Sequence, residues 1–134
     1  MRETHSAVVL LCGEYAYKVK KPVDLGFLDF TTQEQRRRVC EREVELNRRL
    51  APDVYLGVAD VLGPSGEACD HMVVMRRMPS DRRLSTLVID GAPVAGMLDQ
   101  LAQLIADFHA DAARDLQFAL LGSRQQVFDG VDWV

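Results

Sequence analysis

Cysteines are too few and too far apart in this sequence for a disulfide framework or a cysteine metal site. Cys12, Cys40 and Cys69 are odd in number and lack the close pairing that either would require. They read as ordinary thiols of a reducing compartment. His5, His71 and His109 fall in no ligand spacing, such as two histidines one helical turn apart, so no metal is expected on this chain. No apolar run is long enough to cross a bilayer and the N-terminus lacks the apolar core of a signal peptide, so a cytoplasmic protein with no membrane partner is expected. Basic charge is in deficit: 16 Lys and Arg against 20 Asp and Glu give a formal net charge of -4. That balance argues against a nucleic-acid backbone as partner, because such binding depends on basic patches that release counterions. The cluster Arg36, Arg37, Arg38 does not reverse it. Internal repeats and low-complexity tracts are absent as well.

What is present is a chain of 134 residues with 48% hydrophobic content, enough to bury one core, and so one domain or a piece of a larger one. The runs Ala7 to Leu11 and Tyr15 to Lys20, separated by Cys12-Gly13-Glu14, predict a β-hairpin turning at glycine. Pro22 ends the second strand, and Val23 to Phe30 reads as a connecting loop with buried aromatics. In Thr31-Thr32-Gln33-Glu34 the threonine-then-glutamate spacing is that of a capping box, predicting a helix from about Thr32 to Leu50 that stops before Pro52. Val54 to Val61 and His71 to Met75 read as further strands on either side of a Gly63 to Gly66 turn. Arg76 to Arg83 is a polar connector. From Val94 to Ala113, Met97, Leu98, Leu101, Leu104, Ile105 and Phe108 recur at three- and four-residue steps and predict a second long helix with one apolar stripe. The mixed tail from Leu116 has no obvious stop, and the chain is expected to be interrupted rather than finished.

One charge is out of place in this pattern. On a helical wheel Val39, Leu46 and Leu50 form a stripe, and Glu43 falls in its middle while Glu41 and Glu45 point elsewhere. A carboxylate on a core-facing stripe costs several kcal/mol unless a cation meets it. The second strand supplies candidates, since the two-residue pleat puts Ala16, Lys18 and Lys20 on one face and Tyr15, Tyr17 and Val19 on the other. A small residue two positions before a lysine, with a glutamate from the next helix, is the arrangement by which protein kinases make room for adenine and hold the lysine that reaches the phosphates. Lys18 and Glu43 are the expected pair, to be found within ion-pair distance or, in an inactive arrangement, apart with the helix swung outward, and Lys20 is in reserve. A solvated, lysine-rich strand end and a glutamate at the core's rim are the plainer alternative.

The words of the sequence carry this further. Tyr15-Ala16-Tyr17-Lys18-Val19-Lys20-Lys21-Pro22, Gly26-Phe27-Leu28-Asp29-Phe30, the stretch Glu43 to Tyr55, and Met75-Arg76-Arg77-Met78-Pro79 resemble the N-terminal part of bacterial proteins of the aminoglycoside phosphotransferase family, some of which are fused to a P-loop ATPase domain. The resemblance runs from about Glu3 to Ala113. It implies an α+β fold: a protein-kinase-like small lobe, with an antiparallel sheet and one long helix, over residues 1–79, then the helical start of a large lobe over 80–134. It implies ATP as the bound nucleotide, with Lys18 on the α- and β-phosphates, Glu43 orienting it, Ala16 beside the adenine, and backbone groups of Met75, Arg76 and Arg77 at the adenine edge. Leu101 to His109 resembles the helix that scaffolds the catalytic loop, and His109 is expected to pack rather than catalyse.

Two departures from the family pattern limit what is expected of this chain. No histidine-glycine-aspartate run with its following asparagine occurs after His109, nor a further metal-binding aspartate, so no catalytic residue is assigned and Mg2+ is expected only with a large lobe. Glu3-Thr4-His5-Ser6 stands where a glycine-rich phosphate loop would bend. The expectation is the ATP-binding portion of a phosphotransferase acting on a small-molecule hydroxyl, without turnover by itself. The alternative is a kinase-derived, non-catalytic module that associates through helix 94–113. An unrelated α/β regulatory domain ranks last.

Overall fold

The computed structural model describes residues 1–112, and the chain divides between Pro79 and Ser80 into two units. In the first, strands β1 (Arg2–Glu3), β2 (Ala7–Cys12), β3 (Tyr15–Lys20), β4 (Tyr55–Leu62) and β5 (Ala68–Arg76) form one antiparallel sheet in the order β1-β2-β3-β5-β4, with helix α1 (Gln33–Arg48) between β3 and β4. The fold is α+β. The hairpin from β2 to β3 closes at Gly13, whose φ of +54° suits the first position of a two-residue turn that favours glycine. The two-residue strand β1, too short to leave a pattern in the sequence, extends the sheet beyond β2.

Helix α1 starts one residue later on its capping pair than the sequence suggested. Thr32, not Thr31, is the N-cap, its hydroxyl accepting from the Gln35 amide at 3.2 Å while the Gln35 side chain accepts from the Thr32 amide at 3.0 Å. Thr31 instead donates its hydroxyl to Asp29 at 2.7 Å. The helix face is also rotated from the expected stripe. Cys40 and Val44 are the buried residues against Val73 of β5, with Tyr55, Val58 and Met75 packed around them, while Leu46 and Leu50 are exposed. Each such buried side chain contributes about 1.5–3 kcal/mol. Arg36 lies on the same line as Cys40 and Val44 and is buried too. It can be, because Asp70 of β5 and the carbonyls of Phe30 and Thr31 satisfy its guanidinium. Beside it, His71 is buried with Nδ1 2.8 Å from Asp60 Oδ1. Among the described residues no buried side-chain nitrogen or oxygen lacks a partner.

The loop between β3 and α1 is folded on itself, Phe30 donating its amide to Val23 O and Leu25 donating to Leu28 O, both at 2.9 Å. Its aromatics are not both buried as expected: Phe30 is, but Phe27 stands 81% exposed at the tip, because the turn at Gly26 (φ +79°) directs the chain outward there.

In the second unit a short 3-10 turn (Ser80–Arg82) within the expected connector leads to α2 (Leu84–Ile89), a stretch for which the sequence indicated no element, and then to α3 (Ala95–Ala110). No residue of α3 is buried. The helix ends at Ala110, short of the expected Ala113, which with the tail from Leu116 lies outside the described residues. No helix among the described residues is long and apolar enough to cross a membrane.

Candidate functional site

Strand β3 and helix α1 build the site. The pleat of β3 turns Ala16, Lys18 and Lys20 toward α1, Ala16 opposite Met75 and Lys18 opposite Val73 in the β3–β5 register. Ala16 and Lys20 are buried and Lys18 is half-buried. From α1, Glu43 reaches down with 13% of its side chain exposed and places Oε1 2.9 Å from Lys18 Nζ and Oε2 2.6 Å from Lys20 Nζ. Glu45, two positions on, faces solvent and pairs with Arg42. The carboxylate singled out in the sequence therefore does meet a cation, and meets two.

Burial would push the Glu43 carboxyl up, but hydrogen bonds and charge from Lys20 and Lys18 outweigh that and hold it below its ordinary range. Helix residue Asn47 donates its side-chain amide to the Glu43 carbonyl at 2.8 Å, bracing the turn that carries the carboxylate. Lys18 and Glu43, with Val39, Arg42, Leu46, Asn47 and Tyr55, line a cleft of about 450 Å³. This explains the exposed Leu46: its stripe of α1 faces the cleft, not the core.

Arg76 and Arg77 lie elsewhere. With Gly13, Glu14, Met78 and Pro79 they line a second cleft of about 500 Å³ at the β2–β3 turn. The Arg76 amide donates to Val54 O and the Arg77 amide to Glu14 O, both at 2.8 Å, so these two donors are engaged within the unit. Met75, opposite Ala16, packs at the edge of the core. Ala16, Lys18 and Glu43 thus share one face, whereas Arg76 and Arg77 are set apart from it in the second cleft. Among the described residues no cluster of three His, Cys, Asp or Glu could hold a metal ion.

Two side chains escaped the sequence reading. Lys20 was held in reserve for Lys18, yet the two share Glu43; their common face was the signal. Arg36 figures in the sequence only as part of the basic cluster Arg36 to Arg38, although its spacing of four from Cys40 and eight from Val44 marks the buried line.

Uncharacterized proteins of Mycobacterium tuberculosis and Mycobacterium bovis are each 51% identical to the chain over 115 residues, covering 86% of it. The chain spans only 23% of the length of these relatives. No family model matches it. No solved structure matches it either.

Proposed function

We propose that the Met1–Pro79 unit is the ATP-binding small lobe of a kinase-like phosphotransferase, of the kind the aminoglycoside phosphotransferase family represents, acting on a small-molecule hydroxyl. The observation that carries this reading is the Lys18–Glu43 pair at 2.9 Å, strand to helix, with a buried alanine two residues before the lysine. An ammonium held this way is positioned for the α- and β-phosphates, and the small Ala16 leaves room for a purine against the sheet. Since the Arg76 and Arg77 amides are engaged, the adenine edge would be met by carbonyls of this segment or by the Met78 amide, which makes no backbone hydrogen bond among the described residues.

Phosphoryl transfer itself needs a positioned base and metal-held phosphates. Neither the histidine-glycine-aspartate run nor, among the described residues, a carboxylate cluster supplies them. The reading therefore assigns this chain nucleotide binding without turnover, in the cytoplasm where ATP is the phosphoryl donor. Titration of the chain with ATP by NMR tests it: shifts should centre on β3 and α1 and vanish in Lys18→Ala. Unchanged ATP binding in that variant, or turnover that Lys18→Ala abolishes, would sink the respective half of the proposal.

A non-catalytic association module is the second reading. It is favoured by α3, whose Met97, Leu98, Leu101, Leu104 and Ile105 are all exposed.

A further inference from the structure

Glu43 is held by two cations where one would balance its charge, and the two lysines differ in their surroundings. Lys20 is 7% exposed, its ammonium 5.5 Å from the centroid of the buried Phe30 ring. Lys18 is 29% exposed and lines the cleft. An enclosed ammonium is stable only while it keeps its partner, whereas one at a cleft can meet a second anion with little further desolvation. Arg42 lines the same cleft from α1 but pairs with Glu45 at 2.6 Å, so Lys18 and Lys20 are the cations on Glu43.

We propose that Lys20 is a positioning residue: it anchors Glu43 by Oε2, so that Oε1 stays directed at Lys18 and holds it on the phosphate of a nucleotide. The inference rests on the nucleotide-binding reading above. Without Lys20, Lys18 alone would have to neutralise both a largely buried carboxylate and the phosphate, and ligand binding would carry that penalty. With Lys20 in place the carboxylate stays neutralised throughout, and the surplus positive charge of the lysine pair faces the ligand. Glu43 then holds α1 against the sheet whether or not nucleotide is bound.

The test uses the whole chain, 13C-labelled at glutamate carboxyls, in wild-type, Lys18→Met, Lys20→Met and Lys20→Arg forms, with Lys20→Gln replacing Lys20→Met should the latter fail to fold. Without ligand, the Glu43 carboxyl should titrate lower in Lys18→Met than in Lys20→Met, because the more enclosed lysine is the stronger anchor. The reverse order overturns the proposal whatever nucleotide does. With ATP, Lys20→Met should weaken binding about tenfold although Lys20 does not touch the ligand, the size expected for losing a hydrogen bond to a charged group. Lys20→Arg should restore most of that, and Lys20→Met should cost nothing further when Glu43 is already glutamine. Should Lys18→Met weaken binding and Lys20→Met not, the positioning role fails and the nucleotide reading stands. If Lys18→Met leaves ATP affinity unmoved, the nucleotide reading fails and takes this role with it. A full additional loss in the Glu43→Gln background would make Lys20 a direct phosphate contact and overturn it as well.

Discussion

Arg36 donates Nε to both carboxylate oxygens of Asp70, at 2.9 and 3.1 Å, and Nη1 to the carbonyls of Phe30 and Thr31, at 2.9 and 3.0 Å. One side chain of α1 thereby fastens β5 and the end of the loop that seats Phe30 over Lys20. Removing one partner of a buried pair leaves the other charge uncompensated, at about 3–5 kcal/mol. Arg36→Ala is expected to lower the unfolding free energy by about 3 kcal/mol in urea titration. Arg36→Lys should recover less than half, since a point charge cannot reproduce the planar fork. A loss under about 1 kcal/mol for the alanine variant, the usual worth of an exposed pair, would mean that the site is solvated.

Strands and helix were legible where a period ran long enough to be counted. β2, β3, β4, β5, α1 and α3 all lie within a few residues of their expected places. The misses have physical causes. α2 is six residues long with no polar alternation, and β1 is two. The face of α1 was misjudged because apolar spacing alone was followed. Leu46 and Val39 line a cleft, whereas Arg36 is carried into the interior by partners distant in sequence. Glu43 was legible for the opposite reason: a carboxylate between two apolar positions demands a cation, and the nearest β-strand offered lysines on one face.

The N-cap can be tested at neighbouring threonines. Thr32→Ala removes the hydroxyl that accepts from the Gln35 amide and should cost about 1 kcal/mol of stability. Thr31→Ala loses only exposed bonds to Asp29 and Gln35 and should cost less than half as much. Equal losses in thermal unfolding would move the cap back to Thr31.

Acid should loosen the sheet from α1 through Glu43. Its carboxyl is held below the ordinary value of 4.5, burial being outweighed by Lys20 and Lys18. Between the folded and unfolded values the unfolded chain binds more protons, so stability rises with pH across that window. The contribution is complete above 4.5 and is lost as pH falls through the lower folded value. Asp29 and Glu3 are shifted in the same direction, so wild-type acid unfolding alone does not isolate Glu43. The difference in stability between wild type and Glu43→Gln does. It should be roughly 2 kcal/mol at neutral pH and shrink toward acid. A difference independent of pH from neutrality down to the unfolding limit would contradict the pairing.

Helix α3 supplies the last prediction. Met97, Leu98, Leu101, Leu104 and Ile105 are 40–48% exposed on a helix with no buried residue. Positions 97, 101, 104 and 108 step by four, three and four, the spacing of a seam between two helices. At about 25 cal/mol per Å² of apolar surface, leaving such a stripe in water forfeits several kcal/mol, comparable with the stability of a small domain. Association with a second copy through this stripe removes that surface from water. Sedimentation at micromolar concentration should then give a species heavier than the 15.0 kDa chain. Leu101→Asp should return it to the monomer, because a carboxylate at the centre of the seam would have to be desolvated without a partner. The same substitution should leave the Lys18–Glu43 pair and ATP titration unchanged, being in the other unit. A wild-type chain that sediments as a stable monomer would remove the reason for the association reading altogether.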